Sequence, residues 1–148
     1  MLSVSSRDFL KLPIKDFIIP SEKVAHVQIG NNTEHALLVL TKTGYSSIPV
    51  LDMKFRMHGM VSVQQITDEI LGLDRIEYER LDTIKVDDVM THDFVKIHEN
   101  DTFQRALDLL INHPYICVVD YDDMFLGILT RRVVMKQLKK QLYLSLES

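Results

Sequence analysis

The chain has 148 residues, 46% hydrophobic and 26% charged, with a formal net charge of −4; that is the composition of one globular domain with a real core, and it excludes a disordered chain. Twenty-one acidic against 17 basic residues leave no surplus of cation to neutralise a nucleic-acid backbone, and apolar runs such as Ala36 to Leu40 fall far short of the roughly 18 residues that span a bilayer. Met1 to Leu10 contains Arg7 and Asp8 and lacks a signal-peptide core, and Cys117 is the lone cysteine, so the expectation is a cytoplasmic protein without an internal disulfide, a nucleic-acid partner or a membrane segment.

The first strand candidate is Val24 to Ile29. Asn31 with Glu34 then has the spacing at which two side chains satisfy the free N–H groups of a helix start, and Ala36, Leu37, Val39 and Leu40 supply the helix with an apolar face. Gly44 is placed to close that helix in a left-handed conformation. Pro49 to Asp52 suits a short buried strand, and Gly59 to Ser62 suits a second strand whose terminal hydroxyl caps a helix from Val63 to Leu71, closed by Gly72. Leu73 to Lys85 is charged without Gly, Pro or Ser enrichment and reads as an ordered, partly helical bridge.

The second half repeats the first. Phe94 to Ile97 is a strand candidate, and Asp101 with Gln104 repeats the capping pair 70 residues on. Ala106, Leu107, Leu109 and Leu110 repeat the apolar face, which runs out at His113 and Pro114. After a two-residue deletion the offset becomes 68, so that Cys117 to Asp120 matches Pro49 to Asp52, and Gly127 to Thr130 matches Gly59 to Ser62; a last helix runs from Arg131 to about Leu142. Each half reads strand, helix, strand, strand, helix, an α/β arrangement. Some 50 to 60 residues of this kind leave apolar surface uncovered, so the halves are expected to pack together.

Enzyme motifs are missing. The glycines at 30, 44, 59, 72 and 127 make neither a dinucleotide fingerprint nor a P-loop, and His26, His35, His58, His92, His98 and His113 lack metal-ligand spacing. Asp120, Asp122 and Asp123 lack the glycine and glutamate of a calcium loop and read as a turn. Cys117 sits in an apolar strand, where a thiol is a small buried hydrophobe. One cluster stands out: Thr130, Arg131 and Arg132 at a helix start, where free N–H groups and two guanidinium groups favour an anion such as phosphate. The competing reading pairs both arginines with surface carboxylates. A cation there opposes the helix dipole by roughly 0.3 to 1 kcal/mol, which a bound anion would offset.

From Ile14 to Leu142 the repeat resembles a pair of CBS motifs, the tandem called a Bateman module. The resemblance rests on GYSSIPVLD from Gly44 to Asp52, the strand-to-helix junctions GMVSVQQI and GILTRRVV, and the leading segments KDFI and DDVM. It implies a single module over residues 1–148 with pseudo-two-fold packing, motif 1 at 14–72, a connecting segment at 73–84 and motif 2 at 85–142. CBS pairs generally bind adenosine nucleotides in clefts between the motifs. Carried over, the ligand site would combine Lys23, Val24, Ala25 and His26 with Tyr45, Ser46, Ser47, Ile48 and Pro49, and with Thr130, Arg131 and Arg132. Ala25 and Ile48 would sandwich the base, and Thr130 with the arginines would hold phosphate. The equivalent second cleft, with Phe94 to Lys96, Tyr115 to Cys117, Ser62, Gln64 and Gln65, has little cation, so one occupied site per chain is expected.

Many CBS pairs carry an acid three residues after the helix-start hydroxyl to bind both ribose hydroxyls; here those positions are Gln65 and Val133. That departure disfavours a plain AMP, ADP or ATP sensor. A cyclic dinucleotide has its 3′ oxygen locked in a phosphodiester and depends more on arginine. SEKVAHVQIGNN, LTKTGYSSIPVLD and FLGILTRRVV are similar to the stand-alone CBS-pair proteins of Gram-positive bacteria that bind cyclic di-AMP. The resemblance implies a non-catalytic receptor that needs no cofactor, associates as a homodimer and is read by a partner protein. The partners so implied are the (p)ppGpp synthetase/hydrolase and pyruvate carboxylase. The alternatives are an AMP- or ATP-sensing module and a ligand-independent dimeric adaptor.

Overall fold

A computed structural model describes residues 6–147. In chain order these form α1 (Ser6–Leu10), a 3-10 turn (Ile14–Phe17), β1 (Ile19–Pro20), a second 3-10 turn (Ser21–Lys23), β2 (Val27–Gln28), α2 (Thr33–Thr43), β3 (Ser47–Leu51), β4 (Met57–Ser62) and α3 (Val63–Ile70). A third 3-10 turn (Tyr78–Asp82) leads to α4 (Val86–Val89), β5 (Lys96–His98), α5 (Phe103–Leu110), β6 (Tyr115–Val119), β7 (Phe125–Thr130) and α6 (Arg131–Glu147). The mixed α/β class and the repeated order of elements agree with the sequence reading.

Contacts group the chain into two units. One contains residues 6–24, Val95–Tyr121 and 126–147; the other contains Ala25–Phe94 and Asp122–Phe125. In the second, the sheet order is β2-β3-β4. β2 lies parallel to β3, with Val27 opposite Val50, and β3 lies antiparallel to β4. Parallel neighbours need a crossover, which α2 provides by burying Ala36 and Leu40 with Val27, Val50, Val61 and Ile66 in one core. The first unit has the sheet order β1-β7-β6-β5, with β5 parallel to β6 and α5 as the crossover. Its core joins Phe9, Ile14, Phe103, Leu110, Val118 and Leu129. The Phe103 ring stacks on Phe9 and meets Phe17 edge-on, each at 4.9 Å between centroids.

The leading segments are exchanged between the repeats. Ile14 N donates to Asp101 O at 3.0 Å, at the start of α5, while Val86 N donates to Asn31 O at 2.8 Å, before α2. β1 likewise pairs antiparallel with β7, Pro20 opposite Gly127. Each segment that precedes one motif in sequence thus completes the other.

Helix ends correct several local expectations. Asn32, not Asn31, caps α2 by accepting from His35 N at 2.9 Å, while Asn31 accepts from Gln28 N at 2.8 Å. Asp101 accepts from His98 N at 2.8 Å, and α5 begins after Thr102 without a side-chain cap bond. The equivalence of Asn31 and Asp101 holds, but their shared role is to close the turn between strand and helix. The Ser62–Gln65 capping box is complete, with bonds of 3.1 and 2.8 Å. Gly44 closes α2 at φ 80°, with its N–H on Leu40 O. α3 ends at Ile70 with Leu71, not Gly72, as its C-cap, and α6 runs to Glu147, five residues past the expected end. β2 is shorter than the stretch Val24 to Ile29, and β5 begins at Lys96, two residues after Phe94.

Candidate functional site

In the first unit, β7 delivers Thr130 to the start of α6. Its hydroxyl accepts the N–H of Val133 at 3.2 Å, as the sequence reading expects, and the first turn of the helix carries no acid. The two arginines that follow differ. Arg131 sends Nε and Nη2 to the carbonyl of Leu110, the last residue of α5, at 3.0 and 2.9 Å, while its backbone N–H donates to Pro114 O at 2.9 Å. A guanidinium on the final carbonyl of a helix satisfies an orphan acceptor at the negative end of the dipole. Arg132 is exposed, and no hydrogen bond or ion pair to it is found among the described residues. Of the two arginines, Arg132 is the one whose guanidinium is left open to an anion among the described residues. On the same unit Lys23 is exposed at the end of its 3-10 turn, and Val24 is buried, with its N–H on Ser21 O at 3.1 Å.

The second unit carries the other predicted residues. Ala25 packs against its core, and His26, half-buried, meets the Phe55 ring edge-to-face at 5.1 Å between centroids. Tyr45 and Ser46 are exposed just beyond Gly44, and the Ser46 carbonyl accepts the N–H of Val63, the first residue of α3, at 3.0 Å. Ser47 opens β3 half-buried. Ile48, 1% exposed, and Pro49 lie inside, Ile48 as part of the core. The polar chemistry this segment presents is that of Tyr45, Ser46 and Ser47.

Phe55 escaped the sequence reading. The signal available was its register: 68 residues on stands Asp123, and both residues adopt a positive φ, 66° and 63°. Asp52 builds that turn by accepting the backbone N–H groups of Lys54 and Arg56 at 2.8 and 2.9 Å, Arg56 Nε at 3.2 Å and His58 Nε2 at 2.9 Å. The His58 bond, followed by the Arg56 N–H, holds the Asp52 carboxyl well below the usual carboxylate range. Burial pushes the Cys117 thiol up to about 12, so this sulfur is a packing group with no thiolate at neutral pH.

The CBS domain family matches residues 14–72 and 86–140. The chain belongs to that family, and with two matched stretches it is a tandem CBS protein. Among relatives, the Cyclic di-AMP receptor B of Bacillus subtilis (strain 168) is 48% identical over 142 residues, which cover 96% of this chain and 97% of the receptor. A CBS domain-containing protein of unknown function from Bacillus anthracis has 53% identity and a TM-score of 0.83, covering 92% of this chain and 99% of its own. The CbpB protein of Listeria monocytogenes, solved in complex with c-di-AMP, has 57% identity and a TM-score of 0.81, covering 88% of this chain and 98% of that one.

Proposed function

We propose that this chain is a non-catalytic cytoplasmic receptor that binds cyclic di-AMP and regulates a partner protein according to its occupancy. The observation that carries the reading is Arg132, exposed and without a polar partner among the described residues, in the acid-free first turn of a helix capped by Thr130. Support comes from the relatives, one named as a receptor for this nucleotide and one solved with it. In this reading Arg132 and the N–H groups of the α6 start hold a phosphodiester, with Thr130 ordering that turn. Lys23, Ala25 and His26 with Tyr45, Ser46 and Ser47 receive the nucleoside, while Val24, Ile48 and Pro49 are buried and offer it no side-chain surface. Arg131 shapes the site by tying the end of α5 to the start of α6. Gln65 is already spent in the capping box of α3 and Val133 has no acceptor, which favours a ligand that does not rely on a carboxylate for two free ribose hydroxyls.

The receptor is proposed to act as a homodimer. The second helices of the two motifs are the expected source of the interface; Val134, Ile66 and Ile70 on them are buried within their own units, and α6 instead offers a second copy Met135, Leu142, Tyr143 and Leu146, 57 to 82% exposed. The (p)ppGpp synthetase/hydrolase and pyruvate carboxylase are the partners to assay first, by pull-down with and without ligand. The deciding experiment is titration calorimetry against cyclic di-AMP, with AMP, ATP and cyclic di-GMP at the same salt. Selective binding of cyclic di-AMP at one per chain or fewer is expected. Preference for AMP or ATP would replace the reading with an energy sensor, and no heat from any of them would leave a ligand-independent adaptor.

A further inference from the structure

The turns after Asp52 and Asp120 are equivalents in the two repeats, and each puts one residue in the left-handed region, Phe55 and Asp123. Aspartate tolerates that conformation because its short polar side chain bonds locally; for a bulky aromatic it is an outlier. The turn therefore does not explain the phenylalanine. The backbone contribution of Phe55 is one any residue could make: its N–H donates to Asp52 O at 3.0 Å, and its carbonyl accepts from Phe125 N at 2.9 Å. What phenylalanine adds is a ring, half-buried, set against the imidazole of His26 with an interplanar angle of 73°. Asp52 stiffens the turn from within through the Lys54 and Arg56 N–H groups, so the ring is presented from a rigid mount.

We infer that Phe55 is a positioning residue for the ligand site: its ring fixes the His26 imidazole, and with it the Ala25–His26 approach to β2, in the orientation that receives an adenine base of a cyclic dinucleotide. The inference rests on the receptor reading above. The strained backbone persists because the ring is required at His26, in keeping with the tendency of such outliers to mark functional positions.

The test compares Phe55→Asn, which suits the left-handed turn and removes the ring, with Phe55→Leu, which keeps apolar bulk, and Phe55→Tyr, which keeps the ring. Cyclic di-AMP affinity is read by calorimetry, and the His26 Cε1–H and Cδ2–H signals by NMR of the ligand-free protein. Phe55→Asn is expected to melt within about 4 °C of the parent, to shift both His26 signals and to bind at least fivefold more weakly. Phe55→Leu should lose affinity to a similar degree, and Phe55→Tyr should bind as the parent does. Parental affinity in the Asn or Leu variant would overturn the inference, as would unmoved His26 signals in Phe55→Asn. If the parent itself gives no heat, the receptor reading is what has failed, and the His26 signals still report whether Phe55 holds that ring.

Discussion

Arg131 and Arg132 are adjacent and carry the same charge, yet their surroundings assign them different work. Arg131 closes α5 through the Leu110 carbonyl, so Arg131→Ala is expected to destabilise the protein by about 1–2 kcal/mol, read as a fall of several degrees in Tm. Arg132→Ala should leave Tm unchanged and weaken cyclic di-AMP at least tenfold, about 1.4 kcal/mol. If the two effects are exchanged, the assignment of the open cation is wrong. Cys117 makes a pH prediction. Burial favours its neutral thiol, so the folded state holds the proton more tightly than the unfolded chain. The resulting stability is complete below the ordinary thiol value of 9.0 and is lost as pH rises from there toward about 12. A thiol reagent at pH 8 should label the protein only after denaturation, and Cys117→Val should remove this part of the alkaline loss in urea melts.

Among elements, the shortest are the most exposed to disruption. β1 pairs two residues with β7, and there a Cβ on Gly127 would fall 2.0 Å from the Ile19 carbonyl oxygen. That oxygen belongs to backbone and cannot swing aside, so Gly127→Ala should cost about 2–3 kcal/mol and speed amide exchange at Ile19 and Ile128 ahead of the rest of the sheet. Uniform exchange across β5, β6 and β7 in that variant would argue against a local loss of β1. The helix starts teach a related point. Side chains at matching positions of the repeats, Asn31 and Asp101, make matching bonds to Gln28 and His98, but the spacing that suggests a capping pair applies to a helix beginning one residue earlier than it does.

For the molecule as a whole, charge is unevenly placed. The chain is net negative, while α6 bears Arg131, Arg132, Lys136, Lys139 and Lys140 against Glu147 alone. An anionic ligand at the α6 start relieves this concentration of cations, so saturating cyclic di-AMP should raise Tm, by about 2.7 kcal/mol of added stability at one hundred times Kd. The rise should be largely absent from Arg132→Ala. The proposed homodimer is tested by light scattering on the pair Leu142→Glu and Leu146→Glu. Both side chains are exposed, at 68 and 82%, so the double variant should fold normally and run at the monomer mass while the parent runs as a dimer.

Periodicity and capping chemistry act through neighbours in the chain, and for that reason the sequence alone determined the two helix-strand-strand-helix repeats, the Ser62 and Thr130 caps, the left-handed Gly44 and the CBS family. The choices left over depend on contacts between residues far apart. That Ile14 docks on Asp101 and Val86 on Asn31 follows from packing across the repeats, which no local spacing encodes. The engagement of Arg131 by the Leu110 carbonyl required the end of α5 to arrive beside it, 21 residues away. Ile48 is core and Phe55 a mount for His26 because of what the folded sheet and its turns place against them, and side chains of the same type elsewhere in the chain would have carried the same sequence signal.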